Sequence, residues 1–95
     1  MKIIAIPIDV VASFSGSKPP VPRKFRWDGP AAAGAAPGGG GGLVVPVDRI
    51  LSVEPRKTAG IPSYVYLCQS VMDGVEKRYE LKYIVPECRW ELYKI

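Results

Sequence analysis

Hydrophobic and polar residues alternate with a period of two along much of this chain. Val75–Ile84 shows it most clearly: Val75, Tyr79, Leu81 and Tyr83 fall on one parity, and Glu76, Arg78, Glu80 and Lys82 on the other. Successive strand side chains point to opposite faces, so the pattern predicts a strand with one buried and one wet face. A helix would spread the charges round its circumference. Lys77 breaks the apolar parity near the turn, where its stem can lie over the sheet with the ammonium in water. Ser63–Ser70 is rich in aromatic and β-branched residues, and in the last segment Trp90 and Leu92 share a face opposite Arg89, Glu91 and Tyr93. Met72-Asp73-Gly74 supplies the Asp-Gly pair of a tight hairpin, and Val85-Pro86-Glu87-Cys88 places proline where a type I turn presets φ. The last third of the chain therefore reads as a three-stranded antiparallel meander.

The first half is less regular. Over Lys2–Phe14 the residues Ile4, Ile6, Ile8, Val10, Ala12 and Phe14 share one face, with Pro7, Asp9, Val11 and Ser13 on the other. Pro7 cannot donate to a ladder, which predicts an edge or a bulge there. Ser15–Pro20 is a loop by composition. Val21–Trp27 reads as a short strand with Arg23, Phe25 and Trp27 on one parity and Lys24 and Arg26 on the other. Leu43–Val53 reads as a third strand, bulged because Arg49 breaks its alternation, and Glu54–Pro62 as a polar connection. No stretch of ten residues has helical periodicity with caps. The fold class expected is all-β: about six antiparallel strands in a small SH3-like or partly open barrel, with dimerisation as the other way to cover the apolar face.

Composition sharpens this. Ninety-five residues, 47% hydrophobic, suit one domain over 1–95 with a single modest core. Seven of the ten glycines lie between Gly29 and Gly42, and the Ala/Gly-rich segment 30–42 has no large side chain to bury. It reads as a flexible loop between two strands. A phosphate-cradling loop would close on Lys or Ser/Thr and open a helix, whereas Leu43-Val44-Val45-Pro46 opens a strand. The longest apolar run is too short to cross a bilayer. Pro7 and Asp9 interrupt the apolar start before a signal sequence develops, which points to a cytoplasmic protein. The two cysteines, Cys68 and Cys88, read as reduced thiols packed as small hydrophobes.

Candidate chemistry is sparse. The chain has no histidine, its carboxylates are scattered, and neither cysteine has an evident activating partner, so no catalytic residue is expected and the protein reads as non-enzymatic. Two cysteines without histidine cannot supply a zinc site, and no cofactor is expected. The net charge of +4 favours a polyanion partner. Arg23-Lys24-Phe25-Arg26-Trp27 interleaves cations with aromatics, as a strand that stacks bases and tracks phosphates would. Arg23, Lys24, Arg26, Trp27, Arg78 and Lys82 are thus the candidate contacts to DNA or RNA. Against this stands the need of a small domain for its large aromatics inside, which would bury Phe25 and Trp27. The competing function is a module that binds a protein partner or a second copy of itself. It would use an aromatic sheet face drawn from Tyr64, Tyr66, Tyr79, Tyr83 and Tyr93.

P-I-D-V-V-A-S-F-S near the start, K-F-R-W-D-G, R-I-L-S-V, Y-E-L-K-Y-I and R-W-E-L-Y-K-I together resemble a family of small uncharacterised bacterial all-β proteins. Relatives of its second half resemble the C-terminal segment of inactive Y-family polymerase homologues that assist translesion synthesis. The resemblance leaves out the Ala/Gly segment, where the family has a compact turn. R-K-T-A-G-I-P also replaces the family's acidic, tryptophan-containing loop. The resemblance implies no catalytic residues and a DNA-associated accessory role.

Overall fold

The computed structural model describes residues 1–27 and 43–95. The 30–42 segment read as a flexible loop lies outside them. Seven strands occur among the described residues: β1 (Ile3–Ser13), β2 (Val21–Trp27), β3 (Leu43–Pro46), β4 (Arg49–Thr58), β5 (Ile61–Met72), β6 (Val75–Ile84) and β7 (Arg89–Lys94). They form one curled antiparallel sheet in the order β3-β2-β1-β7-β6-β5-β4. The small, partly open all-β barrel is as expected, and so is the closing meander β5-β6-β7. The count of six is one short. The expected strand Leu43–Val53 breaks at Val47-Asp48. The expected connection Glu54–Pro62 is instead the end of β4, a turn at Ala59-Gly60 and the start of β5. Ala59 and Gly60 both have positive φ, 51° and 83°, the geometry that keeps a two-residue turn in step with strand twist. Asp73-Gly74 does the same for β5–β6 at 51° and 75°. At the β6–β7 corner Val85–Glu87 forms one 3-10 turn that ends on Cys88 in the left-handed region.

Register explains the core. Two rows run inward across β5, β6, β7 and β1, Tyr64-Tyr83-Trp90-Ile8 and Tyr66-Leu81-Leu92-Ile6, while their β4 neighbours Pro55 and Val53 stay exposed. Side chains directly opposite in a ladder lie about 5 Å apart, so each row packs as a unit. Trp90 stacks tilted against Tyr83 and Tyr66 at centroid distances of 4.8 and 5.3 Å, and Phe25 against Tyr79 at 5.3 Å. Two residues of the apolar parity fall outside the core. Val75, beside the Asp73-Gly74 turn, and Phe14, beyond the end of β1, are 55% and 66% exposed.

The sheet curls until its two edge strands meet through one short link. β3 pairs with β2, β4 pairs with β5, and only Val47 and Asp48 lie between β3 and β4. The Val47 amide donates to the Arg23 carbonyl at 2.9 Å, and the Asp48 amide to the Gln69 carbonyl at 3.2 Å. Ser70 Oγ donates to the Pro46 carbonyl at 2.7 Å, which leaves the hydroxyl to accept from the buried Tyr79 hydroxyl. The Asp48 carboxylate accepts from the Val71 amide at 3.0 Å. Towards the other end of the barrel, the Tyr66 hydroxyl donates to the Pro20 carbonyl and ties the β1–β2 loop to β5.

The two-residue turns carry a direct prediction. A Cβ at Gly74 would meet no atom within 4 Å, so Gly74→Ala costs only its left-handed backbone, about 1–2 kcal/mol. Ala59→Asn should gain up to about 1 kcal/mol, because asparagine accepts the left-handed region that alanine resists. Urea denaturation should show opposite midpoint shifts for the two variants at an unchanged slope. A midpoint lowered by Ala59→Asn would contradict the turn geometry.

Candidate nucleic-acid interface

The positive charge is not spread evenly. Residues 1–27 hold five cations (Lys2, Lys18, Arg23, Lys24 and Arg26) against one carboxylate, Asp9, whereas residues 43–95 hold eight cations against seven carboxylates. The first 27 residues thus carry a surplus equal to the net +4 of the whole chain.

β2 presents three of these five cations outward. Phe25 and Trp27 point into the core and are 1% and 7% exposed, so Lys24 and Arg26 stand on the outer face. Burial of Trp27 corrects its expected role: its ring fills the core of a small domain and offers no surface on which a base could stack. Arg23 departs from its expected parity. Val11 pairs with Lys24 and Ala12 with Pro22, which leaves Arg23 as the extra residue of a bulge. Pro22 takes the inward place, and Arg23 is exposed with its Nε donating to Ser13 Oγ at 3.0 Å. Two outer rows result, Val11-Lys24-Pro46 and Asp9-Arg26-Val44.

The closed corner extends this face. Arg49 lies opposite Gln69, and Gln69 opposite Arg78; both arginines are exposed, and Gln69 between them is buried. Because Val47 and Asp48 bond to Arg23 and Gln69, the route from Lys24 to Arg78 crosses the β3–β4 corner and passes Arg49. Arg49 and Arg78 thus lie beyond the corner from Lys24 and Arg26, with the exposed Asp48 between them. Sequence reasoning had passed over Arg49 as a break in alternation; that break was the one signal available. Among the described residues, Lys24, Arg26, Arg49 and Arg78 form no ion pair.

Lys82 is placed elsewhere. Its ammonium sits 4.9 Å from the Tyr93 ring centroid, and its neighbour across the ladder is Glu91. The surrounding cations are also matched: Arg89 pairs with Glu87 at 3.2 Å and Glu91 at 3.0 Å, and Lys94 approaches Glu80 at 3.9 Å. Such surface pairs add little stability, but they neutralise the cations of β7.

The remaining chemistry points inward. Cys68 is fully buried, and burial, followed by the charge of Glu80, pushes its thiol up to about 12. A protonated, inaccessible thiol is a poor nucleophile. Cys88 is exposed, contrary to its expected packing, because the turn holds it outside the sheet; both thiols are free. Burial raises the Tyr66 and Tyr79 hydroxyls as well, with the Ser70 hydrogen bond offsetting part of the shift at Tyr79. Tyr66, Tyr79 and Tyr83 are buried and Tyr64 and Tyr93 half-buried, so the tyrosines do not form an exposed face. No cluster of metal-ligating side chains and no helix long and apolar enough to cross a membrane occurs among the described residues. Comparison with protein-family models, with curated proteins and with solved structures finds no match.

The buried thiol and hydroxyls set an alkaline limit. Unfolded cysteine and tyrosine lose their protons near 8.5 and 10, whereas Cys68, Tyr66 and Tyr79 keep theirs in the fold to higher pH. Above about pH 8.5 the folded state then binds more protons than the unfolded one, so stability falls as pH rises. Urea midpoints should drop between roughly pH 9 and 12. A thiol reagent at neutral pH should label Cys88 at once and Cys68 only on unfolding. Equal rates at both sites would contradict the burial of Cys68.

Proposed function

We propose that this protein is a non-enzymatic accessory module that holds the phosphate backbone of nucleic acid, DNA or RNA, on the outer face of β2 and the adjoining corner. Lys24, Arg26, Arg49 and Arg78 are the phosphate contacts, with Arg23 at the margin. The observation that carries this reading is the segregation of charge: Arg89 and Lys94 of β7 are matched by carboxylates, whereas Arg23, Lys24 and Arg26 stand together on β2. Contacts of this kind position a polyanion without reading its sequence. The resemblance of the second half to a segment of inactive Y-family polymerase homologues tilts the same way, and two free thiols suit a reducing cytoplasm. The competing reading, a module that binds a protein or itself through exposed tyrosines, has less support because the aromatic rows face the core.

Fluorescence anisotropy of labelled oligonucleotides titrated across salt concentrations tests this. Binding should weaken steeply with salt, and Lys24→Ala or Arg26→Ala should each lower the log–log slope by about 0.7–0.9. Lys82→Ala should leave it unchanged. Asp9→Asn, which removes the carboxylate opposite Arg26, should tighten binding. Absence of binding at low salt, or an equal effect of Lys82→Ala, would overturn the assignment.

A further inference from the structure

Resting on that reading, we infer that the bound form is a single-stranded polynucleotide, whose bases lie on the aliphatic side chains set between the cations of β1–β3. In the outer row Val11-Lys24-Pro46 the cation has an apolar neighbour on each side, and in Asp9-Arg26-Val44 it has one. Val11 is 55% and Val44 51% exposed, and Pro46 is exposed beside them. Each of these side chains lies about 5 Å from its cation across the ladder, close enough for one nucleotide to meet both. A duplex keeps its bases stacked inside and offers such a face only sugar and phosphate. A single strand offers a π-face at every base, and apolar contact with that face tolerates any sequence.

Curvature favours the same ligand. The outer surface of a curled sheet is convex, and the cations run from β2 over the β3–β4 corner to Arg49 and Arg78. Duplex DNA is stiff over about 150 base pairs and would touch a convex surface of this size at few phosphates. A flexible strand can bend round the corner and engage Lys24 and Arg49 together. With Phe25 and Trp27 turned inward, the base contacts are aliphatic, so removing them should weaken binding without abolishing it.

Three probes separate the terms: a labelled thymidine oligonucleotide, a duplex of the same length, and inorganic polyphosphate as a base-free polyanion that competes with them. The oligonucleotide should bind more tightly than either of the others at equal salt. The double variant Val11→Thr/Val44→Thr keeps β-branched residues at both exposed positions and so retains the fold, which its thermal unfolding checks. It replaces one methyl with a hydroxyl at each site and should weaken the oligonucleotide about tenfold while leaving polyphosphate unchanged. Duplex binding as tight as the single strand, or an unchanged oligonucleotide affinity in the double variant, would overturn the inference and leave the phosphate-gripping role standing. A wild-type dimer that the double variant converts to monomer would also overturn it, since a second copy would then cover the aliphatics. No binding of any probe would overturn both readings.

Discussion

The Ser70 hydroxyl, set between the Tyr79 hydroxyl and the Pro46 carbonyl, fastens the corner on which this barrel closes. An open seven-stranded sheet would leave β3 and β4 as two separate edges. The two-residue link between them allows no such separation, so the sheet must curl far enough for β2 and β5 to share Val47 and Asp48 as hydrogen-bonding partners. Burial of the polar groups at this corner is tolerable because each finds a partner; an unpaired one would cost about 1–3 kcal/mol. Tyrosine suits this work, since its ring fills the core while its hydroxyl reaches a polar partner, Ser70 Oγ for Tyr79. Tyr66 performs the same service for Pro20.

The candidate interface follows from that closure. Along the sheet, β2 and β6 are separated by β1 and β7, and the β7 surface is neutralised by its own ion pairs. Across the corner, Arg49 lies between the cations of β2 and Arg78. The bulge at Arg23 adds a second local device, exchanging an inward arginine for an inward proline so that three cations of one short strand avoid the core. Closure, bulge and inward aromatics together gather a surplus of charge on one convex face.

Much of the architecture was legible in the chain itself. The alternation in β6 and the Asp73-Gly74 turn defined the meander because they are local signals that tertiary context had only to accept. The turn at Ala59-Gly60 escaped notice because alanine is a poor occupant of a left-handed position, and the polar residues of β4 conceal strand structure when both faces of an edge are wet. Of the site, Lys24 and Arg26 were legible from parity alone. Arg49 was not, since its place depends on pairing with Gln69 across a corner that no local pattern announces. Nor was the matching of Lys82, which depends on Glu91 and Tyr93 of the next strand, nine and eleven residues later.

Native-state hydrogen exchange at the Val47, Asp48 and Val71 amides tests the central claim most directly. If the corner fastens the barrel, these three protons should exchange only with global unfolding, at the same free energy as amides in the middle of β5 and β6. Fast exchange at Val47 and Asp48, with β5 and β6 still protected, would show a sheet that holds together with the corner open, and would contradict the account.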